Sequence, residues 1–286
     1  REPGDHRSRG PQLTERVVEV WEGGGWSRIL DLGAGTGSNV RYLARRLTGL
    51  QRWTLVDHDP RLLDQARRAL PGGGETDGRP APGGRPASGP VPGEVHLRVV
   101  CGDLADEGLA QIRPGGADGP PHLVTASALL DLVSAAWLDE LVGRCAQVEC
   151  GALFALSYEG SVAFEGAGDP LDERVIEAVN RHQRRDKGLG AALGPEAGER
   201  AADRFRAAGF QVWTEASPWR LAADDRALAA ALIRGWAEAG AEADPTLAPE
   251  VEAWVERRVR GVSDGPVEVV VGHVDVLALP EGVVVG

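Results

Sequence analysis

From residue 13 to residue 158, the apolar positions switch repeatedly between a spacing of three to four residues and short runs that are apolar throughout. The first pattern predicts helices and the second predicts buried strands. The predicted helices span 13–21, 40–47, 60–70 and 135–145. The predicted strands span 28–32, 53–57, 95–101, 122–127 and 152–158. Strands that alternate with helices in this way predict a mostly parallel sheet with helices on both of its faces.

The pattern is less regular after residue 160. A helix that opens at Pro195 and closes at Gly209 precedes a predicted strand over 210–214, and two further helices are predicted over 224–239 and 247–260. Residues 267–279 are β-branched and apolar, which predicts a long final strand. Because the last two strands do not follow a simple strand–helix alternation, we expect them to form an antiparallel hairpin at the edge of the sheet.

One segment interrupts the alternation of strands and helices. Fourteen of the 23 residues in 71–93 are Gly or Pro, and none is aromatic. Such a segment buries too little apolar surface to offset the entropy lost on ordering. We expect a flexible surface insertion between a helix and the next strand; a linker between two folded domains is the alternative.

Composition and charge narrow the class of protein. The chain of 286 residues carries a formal net charge of −12, which argues against nucleic acid as a partner because such binding depends on Lys and Arg contacts to phosphates. Its three cysteines, Cys101, Cys145 and Cys150, form no CxxC pair, which favours free thiols in a reducing compartment. No run approaches 18 apolar residues. The sequence predicts a soluble, cytoplasmic protein without a membrane partner.

A glycine-rich turn joins the first predicted strand of the sheet to the helix that follows it. Gly33, Gly35 and Gly37 would let backbone N–H groups approach a ligand closely, since a Cβ at any of them would push the ligand away. Asp57 ends the next strand, 20 residues beyond Gly37, where its carboxylate can accept both hydroxyls of a ribose. Together they predict an adenosine-containing cofactor; a plain strand–helix turn is the alternative.

The spacing of these glycines separates two kinds of cofactor. A dinucleotide site is expected to show GxGxxG, whereas this chain has GxGxG, followed by Ser38 and Asn39. Asp31 also puts a carboxylate at the mouth of the turn, where it would repel a pyrophosphate and attract an ammonium group. Both features favour a nucleoside that carries an amino group over a dinucleotide.

The segment 30–37, Leu-Asp-Leu-Gly-Ala-Gly-Thr-Gly, closely resembles the first motif of class I S-adenosylmethionine-dependent methyltransferases. Segments 55–60, 102–104 and 126–131 resemble the ribose-binding strand, the adenine contact and the fourth strand of that family, so the resemblance covers roughly residues 26–160. It implies a Rossmann-like class I methyltransferase sheet, mostly parallel, with an antiparallel C-terminal edge hairpin, helices on both faces and added helices in the C-terminal half.

The resemblance also implies roles for individual residues. Asp31 would hold the amino group of the methionine moiety, Asp57 the ribose and Asp103 the adenine N6, with Leu104 or His58 beside the adenine ring. The remaining expected cofactor contacts are Gly33, Ala34, Gly35, Gly37, Gly102 and Ser127. From the residues alone, Asp103 could instead cap a helix or turn.

The implied domain organisation is an N-terminal helical segment, 1–25, followed by a single methyltransferase domain, 26–286. Residues 160–262 carry no family-wide motif, so they would supply acceptor-side helices and loops without identifying the acceptor. Net acidity and this variable half favour a small-molecule acceptor that is methylated on oxygen or nitrogen.

An alcohol or ammonium acceptor must lose a proton, so a base within hydrogen-bond reach is needed. The candidates for a catalytic base are His182, Asp131 and Tyr158, although Asp131 could equally cap the helix that follows it. The polar, glycine-containing run 180–190 could be a lid or acceptor-binding loop, or a solvated helix end. His182 and Asp186 alone are too few ligands for a metal ion, so no metal is expected.

Two other functions fit a sheet of this type. A nicotinamide-dependent oxidoreductase is the first alternative, but the short-chain variety needs Tyr-x-x-x-Lys, and here Tyr42 is followed by Arg46 and Tyr158 by Val162. A non-catalytic cofactor-binding protein is the second alternative. The oligomeric state is not predicted.

Overall fold

The computed structural model describes residues 2–69, 93–115, 119–166, 168–265 and 267–283. Its helices are α1 (Glu2–Ser8), α2 (Pro11–Gly24), α3 (Ser38–Leu43), α4 (Pro60–Ala69), α5 (Ala135–Val148), α6 (Asp172–Gln183), α7 (Ala197–Ala207), α8 (Arg226–Ala243) and α9 (Ala248–Asp264). Its strands are β1 (Arg28–Leu32), β2 (Gly49–Asp57), β3 (Gly93–Cys101), β4 (Leu123–Ser127), β5 (Gly151–Glu165), β6 (Phe210–Ala216), β7 (Trp219–Leu221) and β8 (Glu268–Pro280).

One mixed sheet contains all the strands in the described part of the chain. The strand order is β3-β2-β1-β4-β5-β8-β6, with β7 also paired to β8. Strands β1 to β5 run parallel to one another, whereas β8 is antiparallel to β5, β6 and β7. This arrangement confirms the predicted fold class, with β8 lying between β5 and the edge strand β6. The chain reverses its direction of travel across the sheet between β1 and β4, which is where ligands bind in open α/β sheets.

Helices cover both faces of the sheet because alternate residues of each strand point to opposite faces. On one face, Ile29, Trp53 and Leu55 pack with apolar residues of α2, α3 and α4. On the other face, Leu30 and Val56 pack with apolar residues of α5 and α7. Strands β1 and β4 and the carboxyl half of β2 are therefore buried between two helical layers, whereas β3 is largely exposed or half-buried.

A third apolar cluster lies beyond the end of β5. It joins the buried sides of α6, α8 and α9 to β7 and the first half of β8, with Trp254 and Val175 fully buried. Asp172 at the start of α6 accepts hydrogen bonds from Trp254 Nε1 (2.9 Å) and Arg258 Nε (2.8 Å), which ties α6 to α9. In the described part of the chain, none of these or the other helices has the length and apolar composition that crossing a bilayer requires.

The structure departs from the predicted elements in several places. Helices α1 and α6 and the short β7 were not predicted, and α3 ends earlier than the apolar spacing suggested. Strand β5 extends to Glu165, so Tyr158 lies in the middle of the strand instead of at its end. The predicted insertion 71–93 falls outside the described residues except for Gly93, which begins β3; β2 and β3 on either side of it pair in parallel.

Candidate functional site

The glycine turn lies between β1 and α3, at the carboxyl end of the first strand. Gly33, Gly35 and Gly37 all have positive φ, at 66°, 53° and 79°, a region that disfavours side chains. A Cβ on Gly35 would have no atom within 4 Å, so the bend faces open space. Ala34, between two of the glycines, donates its N–H to the carbonyl oxygen of Val56 in β2 (3.0 Å). The turn is thus held open and attached to the neighbouring strand.

Asp57 fastens this turn to the end of β2. Its Oδ2 accepts a hydrogen bond from the N–H of Gly35 (2.8 Å), and its Oδ1 accepts one from the N–H of Asp59 (2.9 Å). Each carboxylate oxygen has a second lone pair. Asp57 therefore shapes the bend and keeps acceptor capacity for a hydroxyl group of a ligand.

Asp31 is a buried carboxylate directly before the turn, only 1% exposed. Its Oδ1 accepts hydrogen bonds from Asn39 Nδ2 (2.7 Å) and Thr125 Oγ1 (2.8 Å), whereas its Oδ2 has no hydrogen-bond partner among the described residues. Burial raises the pKa of Asp31 to about 6, against the opposing effect of these two hydrogen bonds. A buried, unpartnered carboxylate oxygen costs free energy, so it is a strong indication of a cationic ligand at this position.

A buried arginine stands beside Asp31. Arg9 donates from Nη1 to Asn39 Oδ1 (2.7 Å), so Asn39 bridges the Arg9 guanidinium and the Asp31 carboxylate. Nε of Arg9 lies 3.8 Å from Asp275 Oδ2, and neither Nε nor Nη2 has a hydrogen-bond partner in the described part of the chain. The site therefore offers one anionic oxygen and two cationic N–H donors that are buried and lack a hydrogen-bond partner among the described residues.

The N-terminal segment brings Arg9 to this position. Glu2 in α1 pairs with Arg41 of α3 through both of its carboxylate oxygens (2.7 and 2.6 Å). His6 Nε2 lies 3.1 Å from the carbonyl oxygen of Ser38. At the end of the segment, the N–H of Gly10 donates to Asp275 Oδ2 (2.9 Å) in β8. These contacts hold residues 2–10 against the first turn of α3, next to the glycine bend.

The expected adenine contacts lie after β3. Asp103 is exposed and caps a short π-helix, Leu104–Gly108, through a hydrogen bond from the N–H of Ala105 to its Oδ1 (2.6 Å). The capping role considered from the sequence is therefore present. Gly102 donates its N–H to the carbonyl oxygen of Asp57 (3.0 Å), which joins this loop to the end of β2. Leu104 is half-buried, and exposed His58 has its Nδ1 3.5 Å from Asp57 Oδ1.

The candidate bases fall in two places. Asp131, buried in the turn Leu130–Leu132 after half-buried Ser127, is close enough to Tyr158 for its negative charge to act on the phenol. Burial and, secondarily, Asp131 raise the pKa of Tyr158, whose hydroxyl donates to Asn180 Oδ1 (2.9 Å). A raised pKa makes the phenol harder to deprotonate, which disfavours Tyr158 as a base.

His182 lies near the end of α6, where it contacts α8. Its Nε2 is 3.3 Å from Glu242 Oε2, and its Nδ1 is 3.5 Å from Lys187 Nζ. Asp186 follows in the loop and accepts hydrogen bonds from the N–H groups of Gly188 (2.7 Å) and Gly190 (3.1 Å). No group of three or more metal-ligating side chains occurs within the described ranges.

Three of the residues that build the site were not predicted from the sequence: Arg9, Asn39 and Thr125. Asn39 had a weak signal, since it follows the last glycine of the turn by two residues. Thr125 lies inside an apolar strand with no local indication of function. Arg9 lies 22 residues before Asp31 in a segment without apolar periodicity, so only the folded chain brings the two together.

Comparisons with known proteins give similar folds and no related sequence. Neither a protein-family model nor a curated protein sequence matches the chain. Similar solved structures include a SAM-dependent methyltransferase from Thiobacillus denitrificans in complex with S-adenosyl-L-homocysteine, at 18% identity and a TM-score of 0.41, covering 96% of this chain and 93% of that one. A second methyltransferase complex with the same compound, from Geobacter sulfurreducens, has 17% identity, a TM-score of 0.43 and coverages of 96% and 92%.

A third similar structure is the YcgJ protein of Bacillus subtilis, at 12% identity and a TM-score of 0.45, with 95% of this chain and 99% of that chain covered. At TM-scores below 0.5, these similarities assign neither a family nor a substrate to the chain. The chemistry of Asp31, Arg9, Asn39 and Asp57 carries the functional conclusion instead.

Proposed function

We propose that the chain is an S-adenosylmethionine-dependent methyltransferase that transfers a methyl group directly to an oxygen or nitrogen atom of a small molecule. One observation carries this proposal: Asp31 Oδ2 and the Nε and Nη2 atoms of Arg9 are buried without a hydrogen-bond partner among the described residues, and Asn39 bridges the two side chains. Two opposite charges held at hydrogen-bonding distance from one amide match the ammonium and carboxylate groups of an amino acid.

The residues fit the proposed cofactor along its length. Asp31 would hold the ammonium of the methionine moiety and Arg9 its carboxylate, while Asp57 would accept the ribose hydroxyls. Asp103 would contact the adenine N6, with Leu104 or His58 beside the ring. The remaining cofactor contacts would come from Gly33, Ala34, Gly35, Gly37, Gly102 and Ser127.

The same residues disfavour the nicotinamide alternative. A dinucleotide carries its pyrophosphate to the glycine turn, where the Asp31 carboxylate would repel it. Among the described residues no cation contacts Asp31 directly, because Asn39 stands between it and Arg9. A nucleoside with an amino-acid tail carries no pyrophosphate, and its ammonium group would be attracted by Asp31.

When bound, the cofactor supplies a methyl group on a positively charged sulfur. The protein's part is to hold donor and acceptor in line, about 3–3.5 Å apart, and this proximity supplies much of the acceleration. Asp31, Arg9 and Asp57 would fix the donor at both of its ends. A proton lost by the acceptor requires a base, and Asp131 is our preferred candidate over His182, which contacts Glu242, and over Tyr158, whose pKa is raised.

We infer a small-molecule acceptor from the net charge of −12, which opposes nucleic acid, and from the helical layer of α6, α8 and α9 beside the end of β5. We keep residues 26–286 as the methyltransferase domain, with 160–262 on the acceptor side. The N-terminal segment 1–25 contributes to the cofactor site through Arg9. The three cysteines are free, which supports a cytoplasmic location.

Calorimetric titration with S-adenosylhomocysteine and with NADH tests the proposed cofactor. We expect saturable binding of S-adenosylhomocysteine and none of NADH; binding of NADH alone would establish the oxidoreductase alternative. Transfer of radiolabelled methyl groups to a fractionated cell extract then separates an enzyme from a non-catalytic binding protein. Absence of transfer to any fraction, with tight cofactor binding, would favour the binding protein.

The raised pKa of Asp31 predicts a pH dependence of cofactor binding. Below about pH 6 the carboxyl group becomes protonated and cannot hold an ammonium ion, so affinity for S-adenosylhomocysteine should fall about fivefold from pH 6 to pH 5. The charge of Arg9 opposes the protonation of Asp31, and that of Asp57 favours it. Calorimetry at pH 5 in buffers of different ionisation enthalpy should reveal proton release on binding. Equal affinities at pH 5 and pH 7 would exclude Asp31 as the ammonium site.

Substitution of Asp57 by alanine should weaken binding by about 1.5–3 kcal/mol, the scale of hydrogen bonds to a charged group. The variant loses the ribose acceptor and also the contact that holds the N–H of Gly35. S-adenosylhomocysteine and adenosine should therefore lose affinity together in calorimetric titrations. Asp59→Ala, two residues further along, serves as the control, because alanine keeps the N–H that donates to Asp57. Unchanged affinity of Asp57→Ala would remove this residue from the site.

A further inference from the structure

A cavity of about 480 Å³ lies toward the amino end of β1, whereas the glycine turn follows the carboxyl end of that strand. It lies over the amino end of β1 and the middle of β2 and β3, on the face that carries Leu30 and Thr54. Arg28 begins β1, four residues before Leu32 at its other end, which amounts to about 13 Å of strand. The cavity is therefore separate from the proposed cofactor site.

The walls of this cavity are unusually basic for a chain with a net charge of −12. Arg28 pairs in register with Arg52, and Arg52 with His96, so three basic side chains form one row across adjacent strands. Arg98 stands two residues further along β3, and Arg113 comes from the loop opposite. The guanidinium groups of Arg28 and Arg52 carry like charges in register on neighbouring strands. They repel each other, so this pair costs folding free energy unless an anion neutralises it.

The polar contacts of these residues leave their positive charge uncompensated. Arg28 donates from Nε to the carbonyl oxygen of Pro120 (2.6 Å), and its Nη2 contacts the imidazole of His122, whose pKa is lowered to about 4 by burial and by Arg28 itself. Arg98 donates to Gln111 Oε1 (2.6 Å) and Thr54 Oγ1 (3.4 Å). None of these acceptors is a carboxylate.

Glu94 is the acidic side chain in contact with the row, and it reaches His96 (2.9 Å) instead of an arginine. Within the described ranges, Arg28, Arg52, Arg98 and Arg113 make no ion pair, whereas arginines elsewhere, such as Arg144 and Arg257, contact carboxylates. Four guanidinium groups thus face one concave space, and among the described residues none of them pairs with a carboxylate.

We propose that this cavity is a second binding site, distinct from the cofactor site, for a small anion that carries a diphosphate group. Planar guanidinium groups bind phosphate oxygens in pairs. Adjacent strands are about 4.8 Å apart, so the row from Arg28 to His96 spans about 10 Å and lets two phosphoryl groups contact different side chains. A concave site on an otherwise acidic protein suits a compact anion better than an extended polyanion, which the remaining surface would repel.

Calorimetric titration of the full chain with inorganic pyrophosphate and with inorganic phosphate tests this proposal. We expect saturable pyrophosphate binding that is at least about tenfold tighter than phosphate binding and that weakens as salt is raised. Arg52→Gln and Arg113→Gln should each weaken pyrophosphate binding by about 10- to 100-fold. Neither side chain makes a hydrogen bond or ion pair in the described ranges, so the melting temperature without ligand should not fall for either variant. It should rise slightly for Arg52→Gln, which removes the repulsion with Arg28.

Arg260→Gln is the matched control, since Arg260 is an exposed arginine of α9, far along the chain from β1–β3. It should leave the affinity within about twofold of the original value. An equal loss in Arg260→Gln would show that pyrophosphate responds only to net charge and would overturn the proposal. So would the absence of saturable pyrophosphate binding, or phosphate binding as tight as that of pyrophosphate. Because S-adenosylhomocysteine affinity is measured on the same variants and should not change, the outcome is independent of the proposed methyltransferase activity.

Discussion

Asp31→Asn is expected to weaken S-adenosylhomocysteine binding by about 10- to 150-fold, equivalent to about 1.5–3 kcal/mol. Asparagine keeps the shape of the side chain and an oxygen for Asn39 and Thr125, but it removes the negative charge and the unpartnered Oδ2. The compound 5′-methylthioadenosine, which has the nucleoside and the sulfur but no amino-acid tail, should bind the variant and the original protein within about twofold. An equal loss for both compounds would mean that Asp31 supports the turn and does not hold the tail.

The stability of this variant provides the control for misfolding. Because burial raises the pKa of Asp31 to about 6, the folded protein binds a proton more tightly than the unfolded chain does, and its free energy of unfolding falls as the pH rises from about 4 to about 6. The cost is complete above pH 6, and asparagine does not incur it. Asp31→Asn without ligand should therefore be more stable at pH 7 by about 1–3 kcal/mol, and denaturant unfolding measures this. A less stable variant would contradict the proposed electrostatic cost.

Arg9→Gln is expected to weaken S-adenosylhomocysteine binding by about 10- to 100-fold while it leaves decarboxylated S-adenosylmethionine nearly unaffected. The difference arises because Arg9 would contact the carboxylate of the tail, which the second compound lacks. Asp275 would keep its hydrogen bonds from the N–H groups of Gly10 and Leu156 and from Ser217 Oγ, so the carboxylate behind Arg9 stays paired.

Arg7→Gln is the control for Arg9, because Arg7 is an exposed arginine of the same segment and pairs with Asp225 on the surface. Calorimetry should show no change in affinity for this variant beyond about twofold. If Arg9→Gln weakened the two compounds equally, Arg9 would act by holding residues 2–10 in place. If it changed neither, the carboxylate would lie elsewhere.

The sequence predicted the strands other than β7 because each of them is an apolar run bounded by polar or glycine residues. The same local logic located Asp31 and Asp57, since both stand at the ends of such runs beside the glycine turn. The extension of β5 to Glu165 was missed because it depends on pairing with β8, more than 100 residues later in the chain. Helix α6 was missed because its apolar stripe is short and is buried only by α8 and α9.

The candidate site was predictable in part for the same reason. Arg9 escaped prediction because its function depends on the docking of α1 against α3, through contacts such as Glu2 with Arg41. The arginine row in the second cavity also depends on strand register: Arg28, Arg52 and His96 are unremarkable in sequence and become neighbours only in the sheet. The local sequence pattern predicts which residues lie at the end of a strand. Which distant residues lie next to them depends on how the segments pair in the fold.

A crystal structure of the protein with S-adenosylhomocysteine tests the central claim most directly. The account predicts that the ammonium of the amino-acid tail lies within about 3.2 Å of Asp31 Oδ2 and that its carboxylate contacts Nε or Nη2 of Arg9, with the ribose on Asp57. A tail bound away from both side chains, or a ligand that leaves the bend at Gly33–Gly37 without contact, would contradict it.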